Sequence, residues 1–522
     1  MVKKDKKTVL LAILDGWGYT KETFGNPVAE AKTPLMDQIR QNYPMVLLQA
    51  SGTAVGMSWG ESGNSEVGHL NMGAGRVIRQ YCAKINDAIQ DESFFSNSAL
   101  VSAFQHAKEN QSKVHIIGLL TSSTVHASFN HLLALVKMAA VMDHPETYFH
   151  LFLDGRDCGL KEGYDLVNKT QEEIKKQGRG KIATIIGRHY SMDRSNDWER
   201  TKIGFDLIAS AKGEKTENLL ESIKKHYQEG SFDPTITPLI NAEANYHGLS
   251  NNDSLIFFNF REDSIRQIFR AFCEKEFTFF ERPSFTNLQI VTMTKYLDDQ
   301  TQPVAFLIPE VSKTLGEVLE QAGKTQLHIA ETDKYAHVTY FFNGLKNKPF
   351  GGEDDIFVKS KENIIENPEM GSQEIAEKIV EVLDKNIYDF IIINFANPDL
   401  LAHLGDYRAT VAGVEAVDSA LLKITQKALA QDAILLITAD HGNAESLVGQ
   451  KGGEPETAHD DNPVFLFLVG NQFKKQKSDQ EMVAETAEIR GILADIAPTV
   501  LELMDLPTPP EITGQSLLKL LN

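Results

Sequence analysis

An aspartate and a histidine stand side by side at the end of an apolar run, in the sequence ILLITADHGNAE. Five apolar or β-branched residues in a row, Ile434–Thr438, predict a short strand buried on both faces. Asp440 and His441 then fall at its carboxyl end, where open α/β sheets bind their ligands. The two residue types suit a metal ion, although such an aspartate more often forms a turn or caps a helix.

Other segments offer side chains of the same kind. Asp15 ends a second apolar run, TVLLAIL, and would face the same cleft as Asp440 if the two strands are parallel neighbours. Asp399 and His403 are four residues apart, so a helix beginning at 397–399 would put both on one face. His459 lies in a polar, proline-edged loop. Turn or helix caps, together with a surface histidine, remain the alternatives for these residues.

Ser65 lies in a stretch dense in glycine and small polar residues, GESGNSEVGHLNMGAG. Glycine lets a backbone approach an anion closely, and the amides that open the following helix would attract phosphate. A serine hydroxyl needs a base or a metal to act as a nucleophile. No histidine is spaced along the sequence as that base, so metal activation is predicted. The alternative is a loop serine that caps residues 66–70.

Together these carboxylates, imidazoles and one hydroxyl form a mixed oxygen and nitrogen set. Such a set suits manganese, zinc or magnesium and not a soft-metal thiolate site. Seven ligands exceed one tetrahedral ion but are reasonable for two. A two-metal site lowers the pKa of a bound hydroxyl and clamps the oxygens of an in-line phosphoryl transfer. The candidates are Asp15, Ser65, Asp399, His403, Asp440, His441 and His459.

Between residues 80 and 300, apolar runs and helical patterns alternate, which predicts a second α/β structure with its own sheet. The predicted strands are 114–119, 147–153, 181–186, 254–258 and 287–293. The predicted helices are 130–141, 161–176, 198–212 and 216–229. In the third part of the chain, 389–395 and 464–469 also read as buried strands, and VTYFFNG at 338–344 reads as β-rich.

Several of the predicted strands in this middle region are followed by arginines. The rigid guanidinium fork suits carboxylate and phosphate, so four in equivalent places predict a pocket for a small, multiply charged acid. A single arginine at such a place is usually a surface salt bridge of little value. Lys334, in a later segment, could supply a compact positive charge to a phosphoryl group. The arginines are Arg156, Arg188, Arg194 and Arg261.

Composition bounds the class of protein. At 522 residues the chain exceeds what one core holds, so two domains are expected. A net charge of -20 argues against a general nucleic-acid or membrane binder. The three cysteines are widely spaced and odd in number, which is typical of reduced thiols in a cytosolic protein. The run TVLLAIL is too short for a signal peptide and ends in DGWG, and no run is long enough to span a bilayer.

A series of longer motifs covers nearly the whole chain, from LLAILDGWG to ADIAPTVLELMDLPTPPEITGQSL. Between them lie GNSEVGHLNMGAGR, FLDGRD, GRHYSMDR, FFNFR, ETDKYAHVTYFFNG, TADHGNAE and TAHD. Together they resemble the cofactor-independent (2,3-bisphosphoglycerate-independent) phosphoglycerate mutase family of the alkaline phosphatase superfamily. The resemblance implies a cytoplasmic, monomeric glycolytic and gluconeogenic enzyme that interconverts 3-phosphoglycerate and 2-phosphoglycerate without 2,3-bisphosphoglycerate. It implies an α/β fold in which 1–78 and 310–522 form an alkaline-phosphatase-like domain and 79–309 an inserted transferase domain.

The same resemblance implies roles for individual residues. Ser65 would be the nucleophile that carries the phosphoryl group. One Mn²⁺ would be held by Asp399, His403 and His459, and another by Asp15, Ser65, Asp440 and His441, although other divalent ions are possible. Lys334 would contact the phosphoryl group, and the glycerate would be held by His126, Arg156, Asp157, Arg188, Arg194 and Arg261.

The chain departs from the family pattern mainly in the predicted substrate domain. Ser264 stands where a second arginine usually follows FFNFR, with Arg266 nearby, and TSST at 121–124 replaces serine-aspartate-glycine-glycine before His126. A CGL sequence also follows FLDGRD in place of a proline-containing turn, and His403 lies in an unusual HLGD context. Two alternatives therefore stay open: a metal-dependent phosphatase or phosphotransferase for another small phosphate ester, and a non-catalytic metabolite-binding protein.

Overall fold

A computed structural model of the chain describes residues 7–308, 310–448 and 455–521. The chain passes from one compact unit to a second after Arg79 and returns to the first after Ile308. We call the first the discontinuous unit and the second, Gln80–Ile308, the inserted unit. Among the described residues, no helix combines the length and apolar character needed to cross a membrane.

The strands alternate with helices along most of the chain. In order they are β1 (Val9–Leu14), β2 (Met45–Gln49), β3 (Val114–Leu120), β4 (Thr147–Leu153), β5 (Lys181–Gly187), β6 (Glu214–Thr216), β7 (Leu239–Asn241), β8 (Ser254–Phe257), β9 (Gln289–Thr292), β10 (Gln326–Glu331), β11 (Glu353–Val358), β12 (Phe390–Phe395), β13 (Ile434–Thr438), β14 (Val464–Val469) and β15 (Ile489–Ile492).

The α-helices are α1 (Pro27–Glu30), α2 (Pro34–Asn42), α3 (Ser65–Ala74), α4 (Tyr81–Gln90), α5 (Ser98–Glu109), α6 (Phe129–Val141), α7 (Gly163–Gln177), α8 (Arg188–Ser191), α9 (Trp198–Ser210), α10 (Leu219–Gln228), α11 (Arg266–Cys273), α12 (Leu315–Gln321), α13 (Ser372–Lys385), α14 (Asn397–His403), α15 (Tyr407–Ala430), α16 (Asp479–Glu485), α17 (Ile496–Leu503) and α18 (Leu518–Leu521).

The discontinuous unit is built on one sheet with strand order β11-β10-β12-β1-β13-β14-β2-β15. Strand β1 runs parallel to both β12 and β13, which confirms the neighbouring parallel strands expected from the sequence. These central strands are buried along their whole length, because helices cover both faces of such a sheet. In the register, Leu14 pairs with Phe395, so the carboxyl ends of the central strands fall at one edge.

The inserted unit has its own sheet, with strand order β6-β7-β5-β4-β3-β8-β9. The strands predicted in this part of the chain are confirmed as β3, β4, β5, β8 and β9, and all neighbours among them pair in parallel. The helix predicted over 216–229 begins later, at Leu219, because Asn218 caps it by accepting the backbone N–H groups of Leu220 and Glu221. Its predicted first residue, Thr216, ends the short strand β6.

The β-rich prediction for VTYFFNG is wrong, because the segment forms a π-helix at His337–Phe341. Its β-branched and aromatic residues favour strands, but tertiary contacts override that propensity. Val338 and Phe342 are buried in the main core, and the backbone N–H of Phe342 bonds to the carbonyl of His337 at 3.2 Å. His328, on β10, also places its Nδ1 2.7 Å from the Val338 carbonyl oxygen.

Candidate active site

Two of the candidate carboxylates lie at the shared carboxyl edge of β1 and β13. Asp15 follows Leu14 directly, and its backbone N–H bonds to the carbonyl of Phe395 at 3.1 Å. Gly16 then turns the chain at a φ of +71°, and a Cβ there would lie 2.8 Å from that of Asp399. The Gly16 N–H donates to Asp440 Oδ1 at 3.2 Å, so this turn links the two strand ends. Asp15 and Asp440 are both fully buried.

Asp399 and His403 share one face of α14, as the four-residue spacing predicts. The Nε2 atoms of His403 and His459 each lie 3.3 Å from Asp399 Oδ1 and 2.9 Å from each other. Their Nδ1 atoms face the carbonyl oxygens of Thr457 at 2.8 Å and Gly63 at 2.9 Å. A carbonyl only accepts, so each Nδ1 carries a hydrogen and donates it, which leaves each Nε2 facing the carboxylate. Two ring nitrogens and a carboxylate oxygen that meet at one place fit the ligands of a divalent cation.

Ser65 is the first residue of α3, where the Asn64 side chain caps the helix by accepting the N–H of Val67 at 2.9 Å. Its Oγ lies 3.1 Å from Asp15 Oδ1 and 3.0 Å from His441 Nε2. The sequence spacing alone gave no histidine base for Ser65, whereas the fold places one imidazole beside it. His441 reaches the hydroxyl from 376 positions along the chain.

Lys334 ends the short 3₁₀ turn Thr332–Lys334 that follows β10. Its Nζ donates to Asp399 Oδ2 at 2.6 Å, to Asp15 Oδ1 at 2.7 Å and to Ser65 Oγ at 2.8 Å. Burial by itself lowers the pKa of Lys334, but the two carboxylates outweigh burial and hold the pKa above its ordinary value. Lys334 therefore places a fixed positive charge beside the serine hydroxyl.

The buried charges also shift the titration of the neighbouring groups. Burial raises the pKa of Asp15, but Lys334 opposes it and the net pKa lies well below the ordinary value. Burial lowers the pKa of His441, yet Asp440, Asp15 and Asp399 together raise it to about 10. The pKa of the partly exposed His403 is raised, chiefly by its hydrogen bond to Asp399. In the metal-free protein, protons and Lys334 therefore compensate the buried carboxylates.

A second set of candidate ligands, around Asp440, contains a carboxylate oxygen without a hydrogen-bond partner. Asp440 Oδ2 is buried and has no hydrogen-bond partner among the described residues. His441 Nε2 lies 3.6 Å from it, and His69 Nδ1 lies 3.2 Å away but is 2.9 Å from the Ser65 carbonyl oxygen, to which it donates. A buried carboxylate oxygen without a partner is costly, so the arrangement fits a second cation held by Asp15, Ser65, Asp440 and His441.

Two asparagines of this site were missed at the sequence level. Asn394 Nδ2 donates to Asp15 Oδ2 at 2.7 Å, and Asn443 Nδ2 donates to Asp399 Oδ1 at 2.8 Å. Neither asparagine is a candidate ligand, but each orients the carboxylate of one that is. A signal existed for Asn394, since it is the one polar residue in the apolar strand FIIINF. Asn443 lies in the TADHGNAE motif but carried no distinguishing pattern.

The predicted anion-binding residues of the inserted unit follow the carboxyl ends of its strands. Arg188 is buried and bonds to Asp157 Oδ2 at 2.5 Å and to Asp154. His126 Nε2 lies 3.6 Å from Asp157 Oδ2. Arg156 is exposed, and its backbone N–H bonds to Asp154 at 3.2 Å. The guanidinium groups of Arg194 and Arg261 approach a further carboxylate, Asp263, which the sequence reasoning did not single out.

The departures from the family pattern have defined places in this unit. Ser264 is buried and donates its backbone N–H to Asp263 Oδ1 at 2.7 Å. Arg266 does not take the place of the missing arginine, because its Nε bonds to the Tyr296 carbonyl at 3.0 Å and its Nη2 to Glu262. In the TSST segment, Thr121 Oγ1 donates to Asp154 Oδ2 at 2.6 Å.

Comparisons with known proteins agree over almost the whole chain. Residues 7–508 match the family model of the Metalloenzyme superfamily. The chain is 42% identical to a 2,3-bisphosphoglycerate-independent phosphoglycerate mutase of Clostridium botulinum, covering 98% of this chain and all of that one. It is 41% identical to phosphoglycerate mutase 1 of the same kind from Methanosarcina acetivorans, with coverage of 98% and 99%. A crystal structure of Leishmania mexicana phosphoglycerate mutase at low cobalt concentration aligns with a TM-score of 0.72 at 27% identity, covering 99% of this chain and 98% of that one.

Proposed function

The chain belongs to the 2,3-bisphosphoglycerate-independent phosphoglycerate mutases, and from this membership we propose how its own residues carry the reaction. It is a metal-dependent isomerase with an alkaline-phosphatase-like α/β fold. It interconverts 3-phosphoglycerate and 2-phosphoglycerate through a phosphoserine. We propose that Ser65 is that serine.

The observation that carries this proposal is the surroundings of the Ser65 hydroxyl. Within 3.1 Å of its Oγ lie a carboxylate of Asp15, the imidazole of His441 and the ammonium of Lys334. The hydroxyl also opens α3, so the free N–H groups and positive end of this ten-residue helix face a transferred phosphoryl group. A nucleophile held beside both positive charge and oxygen ligands suits phosphoryl transfer.

We propose two Mn²⁺ ions for the metal centre and no requirement for 2,3-bisphosphoglycerate. Asp399, His403 and His459 would hold one ion. Asp15, Ser65, Asp440 and His441 would hold the other. When bound, the ions would lower the pKa of the serine hydroxyl and neutralise negative charge on the phosphoryl oxygens. The converging Nε2 atoms of His403 and His459 support the first group, and the unsatisfied Asp440 Oδ2 supports the second.

The protein side chains bind, orient and release the two halves of the substrate. The Ser65 hydroxyl gives up its proton as its Oγ forms a bond to phosphorus, the bond from phosphorus to the glycerate oxygen breaks, and that oxygen takes up a proton. Lys334 neutralises the phosphoryl oxygens. We propose that His126, Arg156, Asp157, Arg188, Arg194 and Arg261 hold the glycerate while it turns. Its other hydroxyl then gives up a proton and attacks phosphoserine, the bond from phosphorus to Ser65 Oγ breaks, and Oγ takes up a proton. Water must be excluded throughout, since hydrolysis of phosphoserine would make the enzyme a phosphatase.

We also propose the domain assignment and cellular setting. Residues 1–78 and 310–522 would form the alkaline-phosphatase-like domain and 79–309 the transferase domain, a division supported by the unit boundaries after Arg79 and Ile308. The enzyme would act as a cytoplasmic monomer on its small-molecule substrate, with no nucleic-acid or membrane partner. The net charge of -20 supports the last point.

A coupled assay that starts from 3-phosphoglycerate tests the proposal. We expect 2-phosphoglycerate to form in the presence of Mn²⁺, activity to disappear with a chelator, and Ser65→Ala to abolish turnover. Ser58→Ala is the matched control, since Ser58 lies just before the same glycine-rich stretch and its Oγ has no hydrogen-bond partner among the described residues. Full activity of Ser65→Ala would exclude the nucleophile. Inorganic phosphate released faster than 2-phosphoglycerate would instead indicate a phosphatase.

A further inference from the structure

Asp263 lies at the centre of the anion-binding group of the inserted unit. Its Oδ2 is 3.1 Å from Arg194 Nη1 and 3.5 Å from Arg261 Nε. Its Oδ1 is 3.3 Å from His126 Nδ1 and accepts the backbone N–H of Ser264 at 2.7 Å. One carboxylate thus contacts three of the residues that are proposed to hold the glycerate.

The two arginines beside Asp263 are held less firmly than Arg188, another arginine of the pocket. The Arg188 side chain is 7% exposed and bonds to two carboxylates, Asp154 and Asp157. The side chains of Arg194 and Arg261 are 53% and 45% exposed, and both approach the single carboxylate of Asp263. Long exposed arginines lose much conformational entropy when they bind a ligand. A carboxylate that confines them beforehand reduces this loss.

Asp263 is suited to this task because its own position and charge are fixed. Its Oδ1 also accepts the Ser264 hydroxyl at 3.3 Å, so two donors of the next residue in the chain orient the carboxylate. Burial raises the pKa of Asp263, but His126 and Arg261 outweigh burial and hold the pKa well below the ordinary value. The group is therefore ionised at neutral pH.

We propose that Asp263 is a positioning residue of the substrate pocket, which holds Arg194, Arg261 and His126 in place for the anionic glycerate. This inference rests on the proposed function. It also gives Ser264 a role, since its hydroxyl and backbone amide orient Asp263. The arginine that the family usually has at this position would instead present another cation. The pocket then relies on confined arginines in place of additional ones.

The proposal predicts a change in the KM for 3-phosphoglycerate that is opposite to the change expected from charge alone. Asp263→Asn removes one negative charge from a pocket that binds an anion. If Asp263 only offset positive charge, the KM for 3-phosphoglycerate would fall in the variant. If it positions the arginines, KM rises despite the gain in positive charge, by about tenfold for two side chains that lose confinement. The fall in kcat should be smaller than this rise.

Steady-state kinetics on the full Mn²⁺-loaded chain, with calorimetric binding of 3-phosphoglycerate to the Ser65→Ala form, separates these outcomes. Asp206→Asn is the matched control, because it makes the same charge change in the same unit at an aspartate that also pairs with two basic residues, Lys202 and Lys212. Its KM should equal that of the parent chain. Asp263→Glu, which keeps the carboxylate, should lie between the parent and Asp263→Asn, and it serves if the asparagine variant does not fold.

A double-mutant cycle with Arg261→Ala supplies a readout that a merely structural role would not move. If Asp263 acts through Arg261, adding Asp263→Asn to Arg261→Ala raises KM by clearly less than it does in the parent chain. Full additivity, or a KM for Asp263→Asn that is unchanged or lower than the parent value, overturns the inference alone. A parent chain without mutase activity overturns the proposed function and the inference with it.

Discussion

Replacing Lys334 by methionine tests whether this lysine and the proposed metal ions compensate the same buried carboxylates. The Nζ of Lys334 lies 2.7 Å from Asp15 and 2.6 Å from Asp399, and the exposed fractions of the three side chains are 5%, 0% and 2%. Methionine keeps most of the side-chain volume but carries no charge. In the metal-free variant, the two carboxylates therefore lose the ammonium that holds their charged forms.

The size of the effect follows from the burial of the pair. Breaking a buried ion pair by removing one partner costs about 3–5 kcal/mol, because the remaining charge is left uncompensated. For a unit of several hundred residues, ~1 kcal/mol shifts the melting temperature by roughly 2 °C. We therefore expect Lys334→Met to melt roughly 6–10 °C below the parent chain without metal. With Mn²⁺ bound, the ions supply the positive charge, and the difference should shrink to less than half.

Differential scanning calorimetry of the parent chain and the variant, in chelator and in excess Mn²⁺, measures both differences. Lys477→Met is the matched control. The Lys477 side chain is 6% exposed and its Nζ lies 2.5 Å from Glu485 Oε2, and neither residue is a candidate metal ligand. Its loss of stability should be the same in both conditions. A Lys334→Met difference that is equal with and without Mn²⁺ would refute the idea that lysine and metal share these carboxylates.

Three further outcomes follow from the geometry. His459→Ala should reduce bound Mn²⁺ from two ions per chain to one by elemental analysis, and two retained ions would remove His459 from the ligand set. The raised pKa of His441, about 10, means that its protonated form stabilises the metal-free protein fully below about pH 6.5, and that this stability is lost as pH rises towards 10. The melting temperature of the metal-free protein should therefore fall from pH 7 to 10 while the gain from Mn²⁺ grows, since proton and metal compete for the ring nitrogen; a metal gain that does not change with pH would contradict this. Arg266→Ala should leave KM within about twofold, whereas Arg261→Ala should raise it about tenfold or more, because the first guanidinium is turned to Tyr296; equal effects would show that Arg266 does serve the pocket.

The sequence pattern predicted the framework of the site better than its contacts. Apolar runs such as FIIINF and ILLIT identified the central strands, because a strand buried on both faces tolerates few polar side chains. The residues directly after each run then fell at the ligand-binding edge of the sheet. This reasoning placed Asp15 and Asp440 on neighbouring strand ends, as the register of β1 and β13 confirms.

Contacts between distant segments could not be predicted in this way. His441 meets Ser65 across 376 positions and Lys334 meets Asp15 across 319, so no local spacing reports either pair. Local propensity also misled where packing decides the conformation, as in the π-helix at His337–Phe341. Asp263 was overlooked for a related reason. Its role depends on the arginines that converge on it, and the two acidic residues after FFNFR carry no pattern that distinguishes the second from the first.

A buried carboxyl group explains how the ligand-bearing loops are kept together before any ion binds. Glu445 Oε2 accepts the backbone N–H groups of Gly18 at 2.9 Å and Asn443 at 3.0 Å, and Oε1 accepts from Asn462 at 3.1 Å. These donors lie on the loops that carry Asp15, Asp440 with His441, and His459. Burial and the nearby carboxylate of Asp460 raise the pKa of Glu445 well above its ordinary value, which favours the protonated form that can donate a hydrogen bond to Asp460. The loops are thus joined by hydrogen bonds to one side chain that lies outside the candidate ligand set.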